Sequence, residues 1–352
     1  MKIEDLANEV FYEIFEYLDY FQSYEIFSNL NKRFQDLFIN STCPIKINLG
    51  SISKSTFESY FQNIILPHQH RIRSLHLSNS FIIDFFLLSV SLIRKLTHLQ
   101  TFIIKGILSS YLENLFNDLS VLPNLSSLVI ICKYHVPKRN HLYEQIFQLS
   151  ALKYCKFSIQ EYHHSEYLPI QTNQFSPITH LLIGDIFNVN EFFALLSCVP
   201  QLHRLSIHKL STSMYTQVNI CSRIPNQLTH VSLDLENVYF NDFEPLIKHV
   251  FYQVQVLHIS TPPDRTYLIA NRWESLIPLY MPHLRIFDLH HRVYTTKTEG
   301  EIYMDLIDQF ESSFWFERQW FFAYHMKLFR EYCEIYFYST DPYRYESIYL
   351  LI

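Results

Sequence analysis

The first groups to test for chemistry are the eighteen histidines in this chain of 352 residues, because imidazole binds metal, moves protons and makes hydrogen bonds near neutral pH. A zinc site would need two of them on one face with further ligands nearby. His163-His164 and His290-His291 are instead adjacent pairs whose side chains diverge on a strand, and no His pair spaced i,i+4 brackets a Glu. The six cysteines, at 43, 132, 155, 198, 221 and 333, form no CxxC pair, which points to reduced thiols in a cytoplasmic or nuclear protein. Nothing matches a P-loop, a GxGxxG turn, a nucleophile elbow or a kinase signature, and four glycines offer little for a phosphate cradle. The expectation is a non-enzymatic chain with no catalytic residue, no metal and no cofactor.

Binding chemistry remains, and one set of residues falls at a repeated spacing. Tyr154, His180, Arg204 and His230 each stand one place before the middle apolar residue of a recurring frame. His76, Lys156, His208, His258 and His290 occupy nearby outward positions. On strands about 4.8 Å apart such residues form a ladder. Two readings are open: an ordinary solvated strand face, or a polar, partly cationic patch that binds a target protein through Tyr154, Lys156, His180, Arg204, His208, His230 and His258. In the second, the planar fork of Arg204 suits an acidic or phosphorylated segment. Histidines with an ordinary pKa near 6.5 would be mostly neutral at pH 7 and supply hydrogen bonds, leaving Arg204 and Lys156 as the fixed charges.

The frame that positions them is an apolar residue, two others, an apolar residue, one other, and a third apolar residue. It opens at Ile72, Leu99, Leu125, Leu152, Ile178, Leu202, Leu228, Val254 and Leu284, in steps of 27, 26, 27, 26, 24, 26, 26 and 30 residues. Such regularity is the mark of a stacked array. Each frame ends in the alternation of a strand and leads into a stretch with helical periodicity. Helices are expected near 82–95, 109–121, 140–149, 189–198, 212–223, 241–252 and 271–280. Pro123, Pro177, Pro200, Pro225 and Pro282 recur just before the strands, where they close a helix and open an extended segment.

Over roughly residues 70 to 291 the chain resembles the helix-containing leucine-rich repeat proteins. That resemblance implies an α/β solenoid with parallel strands on its concave face and helices on its convex face. The chain departs from the family where an Asn or Cys usually bonds the turn: those places hold Ser80, Ile107, Lys133, Gln160, Ile186, Leu210, Glu236, Pro262 and Arg292. The turn groups must then be satisfied in another way. Ahead of the array, Ile45, Ile47 and Leu49 suggest an opening strand, followed by a helix near 53–65.

Residues 3 to 40 carry two or three short amphipathic helices: Val10, Phe11, Ile14, Phe15 and Leu18 share one face, and Ile26, Phe27, Leu30 and Phe34 another. Asn8 or Asp5 could cap the first. Leu6, Glu9, Val10, Ile14, Phe15, Tyr17, Leu18, Leu30, Lys32, Arg33 and Phe34 resemble an F-box at the family's spacing, with departures at Ala7, Gln22 and Ser23. The resemblance implies docking onto the small adaptor of an SCF-type E3 ubiquitin ligase, and through it a cullin, by Leu6, Ala7, Glu9, Val10, Ile14, Phe15, Leu18, Leu30 and Phe34. The chain would then be a non-catalytic substrate receptor whose repeats hold an unknown target protein. The alternative is an interaction scaffold whose degenerate F-box engages no ligase.

The expected domains are 1–41 (F-box-like), 42–300 (solenoid) and 301–352 (an aromatic-rich cap). In the last, a polar loop at 295–300 leads to a helix near 303–316, and Trp320–His325 and Ile335–Ser339 could add strands. An open array end needs such a cover; a sticky partner surface is the other reading. Net charge is −5 over 1–40, +4 over 41–300 and −5 over 301–352, which lacks the dense basic stripe of a nucleic-acid binder. The acidic start has no basic-then-apolar leader pattern, and the longest apolar run, Phe81–Ile93, is too short to span a bilayer.

Overall fold

Alternating apolar residues bury one face of every described strand except the one at Phe322–Leu328, and those faces carry the fold. The computed structural model describes residues 6–17, 20–27, 30–40, 44–50, 52–89, 92–134, 136, 139–159, 175–212 and 227–340. It is a mixed α/β structure that divides into two compact units, Met1–Ser165 and Glu166–Ile352.

The first unit begins with α1 (Asn8–Tyr17), α2 (Tyr20–Phe27) and α3 (Lys32–Asn40). Strands β1 (Ile45–Leu49), β2 (Ile72–Leu77), β3 (Thr101–Ile107), β4 (Ser127–Cys132) and β5 (Tyr154–Ser158) pair in chain order, all parallel. Between them lie α4 (Lys54–Tyr60), which runs through a π-helical turn into α5 (Leu66–His68), then α6 (Ser80–Leu88), α7 (Leu112–Leu119) and α8 (Arg139–Phe147). The second unit holds β6 (His180–Asn188), α9 (Val189–Cys198), β7 (Arg204–Ser211), β8 (His230–Glu236), α10 (Phe240–Val250), β9 (Val256–Thr261), α11 (Ala270–Tyr280) and β10 (Ile286–Thr296). These strands are again parallel neighbours in order. After α12 (Lys297–Ile307) and α13 (Ser313–Glu317), β11 (Phe322–Leu328) and β12 (Tyr332–Ser339) form a hairpin whose second strand pairs antiparallel with β10.

The frame residues behave as the alternation requires: Leu202, Leu205 and Ile207 are 0%, 2% and 1% exposed. One backbone device recurs at the starts of successive strands. The carbonyl of the residue two places before a frame's middle apolar residue accepts from two successive N–H groups of the next repeat. Thr179 O takes His203 N (2.8 Å) and Arg204 N (3.0 Å), His203 O takes Thr229 N and His230 N, and Thr229 O takes Gln255 N and Val256 N. These shared carbonyls fix the strand register. Helix starts have their own caps: Asn79 accepts from Phe81 N–H, and Asn188 and Glu191 form a reciprocal capping box.

Several boundaries differ from the expected ones for local reasons. The helix expected over 82–95 ends at Leu88 because Ser89 turns extended (φ −73°, ψ 110°), and a separate 3₁₀ turn follows at Ile93–Lys95. The helix expected at 109–121 opens as a 3₁₀ turn, Ser109–Tyr111, before α7. Most of the segment expected as a helix at 212–223 lies outside the described residues. The polar loop expected at 295–300 is instead the end of β10 and the first turn of α12, with Thr296 accepting from Glu299 N–H as its cap. Asn8 does not cap α1; it is the first helical residue, and its Oδ1 accepts from Arg33. Asp5 lies outside the described residues. No described helix is long and apolar enough to cross a membrane.

Candidate protein-docking surfaces

At the N-terminal helices, an aromatic pair separates what folds the module from what it shows. Phe11 and Phe34 are fully buried and meet edge-on at 4.8 Å, with Phe27 5.6 Å from Phe34. Phe34, expected at the adaptor contact, is an interior residue here: the aromatic face of α3 closes a very small core. Arg33 reaches back to α1, donating to Leu6 O (2.6 Å) and to Asn8 Oδ1 (2.6 and 3.0 Å). Those bonds tie the start of α3 to the start of α1.

The other residues expected at an adaptor contact differ in exposure. Leu6 and Ile14 are half-buried, Ala7 and Glu9 are exposed, and Val10 and Leu30 are 39% and 53% exposed. Tyr17 and Ile26 are exposed as well. Leu18 and the side chain of Phe15 lie outside the described residues. Ser23 is buried, so the small residue at that place belongs to the interior of the module.

The strand face of the second unit carries the predicted cationic row. His180, Arg204 and His230 are register partners on β6, β7 and β8, and the row continues through Val256 and Ile286. Arg204 is exposed, and among the described residues its guanidinium has no hydrogen-bond or carboxylate partner. Each histidine is pinned by the threonine before it: His180 Nδ1 lies 2.9 Å from Thr179 Oγ1, and His230 Nδ1 2.9 Å from Thr229 Oγ1. The Thr229 hydroxyl gives its proton to His203 O (3.1 Å). His230 Nδ1 must then be the donor, which leaves Nε2 as an acceptor in the neutral ring. Burial first, and the nearby Arg204 second, hold both histidines below their usual pKa. The row therefore presents one fixed cation between two neutral hydrogen-bonding rings.

Other predicted members belong to different settings. His258 sits one row further along with Ser206 and Ser232, its Nδ1 2.6 Å from Asp288 Oδ2. That contact lies outside hydrogen-bond alignment. His208 lies 3.9 Å from Asp234, and both are substantially exposed. Each of these two histidines therefore has a carboxylate neighbour on the next strand. Asp234 and Asp288 went unread in the sequence although Asp288 stands between the last two apolar residues of its frame. Reading that position across all the frames would have found it.

Tyr154 and Lys156 are on β5 in the first unit, each half-buried. Tyr154 aligns with Ser127 and Thr101, and Lys156 with Val129, Ile103 and His76. That face is hydroxyl-bearing and apolar rather than a ladder of cations. Burial, with Lys105 adding to it, lowers the Lys156 and His76 pKa values. Among the described residues no cluster of three His, Cys, Asp or Glu side chains could hold a metal ion. No family model matches the chain, and no curated protein matches it.

Proposed function

We propose that this chain is a substrate receptor of an SCF-type ubiquitin ligase: an F-box-like helical module docks the adaptor, and a leucine-rich-repeat-like solenoid of strand–helix units holds a target protein. The observation that carries this reading is the division of labour in the first three helices. Phe11, Phe34 and Leu37 are buried, while Val10, Tyr17, Ile26 and Leu30 stay open to solvent. Large apolar side chains left exposed on so small a module are what a docking surface requires. In this reading the chain supplies proximity, bringing a target lysine to a conjugating enzyme held elsewhere in the assembly.

Retrieval of the tagged full chain from cells tests the docking. Wild type should bring down the adaptor and a cullin. Leu6→Asp with Val10→Asp should lose both while the strand–helix units stay folded, because two unpaired carboxylates would enter an apolar contact. If wild type retrieves neither adaptor nor cullin, the chain is an interaction scaffold outside any ligase.

For the target, the reading uses the His180–Arg204–His230 row. Arg204→Glu should weaken target retention by about tenfold to a hundredfold, the loss of a charge-assisted bond of about 1.5–3 kcal/mol. Adaptor retrieval and thermal midpoint should stay unchanged, since Arg204 is exposed and such sites shift stability by about 0.5 kcal/mol or less. Undiminished target binding by the variant would reduce the row to a solvated strand face.

A further inference from the structure

At the end of the second unit's strand order, β11 has one edge unpaired among the described residues. Its only neighbour among the described residues is β12. At the two ends of this hairpin Phe329 N–H donates to Tyr332 O (2.8 Å) and Thr340 N–H donates to Phe321 O (2.9 Å). Antiparallel alternation then directs the backbone groups of Ala323, His325 and Lys327 towards β12, and those of Phe322, Tyr324, Met326 and Leu328 outward. The same four side chains share the apolar face. Phe322 packs on Phe310 (5.1 Å), Phe337 (5.2 Å) and Trp315 (5.4 Å), but Tyr324 and Leu328 run off the covered core and are 50% and 68% exposed. No proline or bulge blunts the strand. A regular edge left unpaired among the described residues, with one apolar face and a single fixed charge (Lys327) on the other, is a template for another strand. In the first unit, by contrast, α2 lies against the edge strand β1.

We propose that β11 pairs antiparallel with β11 of a second copy about a two-fold axis at His325, making a symmetric dimer. Outward groups can bond only where an even-numbered residue meets an even-numbered one. Centring on His325 matches all four, whereas any shift leaves some unpaired. In that register Phe322 faces Leu328 and Tyr324 faces Met326 on the apolar side, and Lys327 faces Ala323 on the other. No fixed charge meets its like across the axis, and apolar meets apolar, which is the self-complementarity a two-fold contact demands. One strand pair with flanking aromatics lies at the small end of interface sizes, so the dimer is concentration-dependent.

Sedimentation of the full chain over a concentration series tests this. The mass should climb from the 42.3 kDa of one chain towards twice that value. Met326→Pro removes one outward N–H and no bond to β12, so it should hold the chain at one copy with its thermal midpoint unchanged. Register is tested separately: Ala323→Lys, which sets Lys against Lys327 on both sides of the axis, should dissociate the dimer, and adding Lys327→Glu should restore it. A wild type that stays at single-chain mass throughout overturns the proposal, as does a Met326→Pro chain that dimerises like wild type. It also fails if a chain ending at Thr340 dimerises where the full chain does not, since residues 341–352 of the same chain would then hold the edge.

Discussion

Trp273→Ala should cost about 3–5 kcal/mol of stability, the range for removing a fully buried large aromatic side chain. Trp273, on α11, is 0% exposed and meets residues from three successive segments: Phe240 at 5.0 Å, Phe287 at 4.9 Å, and Tyr267 at 6.4 Å. Its Nε1–H donates to Tyr267 O (2.8 Å), and the Tyr267 hydroxyl donates to Val238 O (2.8 Å). One indole thus ties α10, the 3₁₀ turn Arg265–Leu268 and β10 together. Truncation opens a cavity among rigid rings and strands a buried carbonyl at once. Trp273→Phe keeps most of the ring volume and loses mainly the hydrogen bond, so it should cost less, about 1–3 kcal/mol. Urea unfolding midpoints of the three chains check the order. Equal losses for Ala and Phe would mean that the bond to Tyr267, and not the packing, carries the effect.

The strands were legible in the sequence because burial on one face imposes a period of two, and no competing arrangement tolerates Leu202, Leu205 and Ile207 in water. Helices α9, α10 and α11 were legible within two residues at each end, since their apolar faces repeat at the helical period over three turns. Legibility stopped where local chemistry decides. Ser89 ends α6 early through one backbone angle, and Thr296 starts α12 inside what composition marks as a loop. The antiparallel direction of β12 follows from a tight turn at Phe329–Tyr332 that no periodic pattern encodes. At the candidate sites, the outward row of His180, Arg204 and His230 followed from the frame. The burial of Phe34 and the pairing of His258 with Asp288 did not, because each depends on which residue a neighbouring element brings up.

Lowering the pH should destabilise the second unit through His291, with the loss developing as pH falls from about 6.5 to about 4. His291 is 0% exposed on β10 and stacks on Tyr303 at 6.0 Å. Its Nδ1 lies 2.7 Å from Thr261 Oγ1, and that hydroxyl donates to His290 O. Among the described residues Nε2 has no hydrogen-bond partner. Burial pushes the ring's pKa down to about 4, with His290 adding to the effect and Asp264 opposing it. The unfolded chain binds this proton near 6.5, so between the two values it holds more proton than the folded one and gains free energy as acid is added. Full stability from the neutral ring is present above about pH 6.5, and the part lost by about pH 4 is on the order of 3 kcal/mol. His76, His180, His230 and His290 are shifted the same way, so wild type alone cannot isolate the group. His291→Phe can, because it keeps an aromatic of similar volume and removes the titration. Urea unfolding of both chains from pH 7 to pH 4 should show the wild-type advantage shrinking by about that amount. Two curves that stay parallel across the interval would mean that His291 takes up no proton on unfolding.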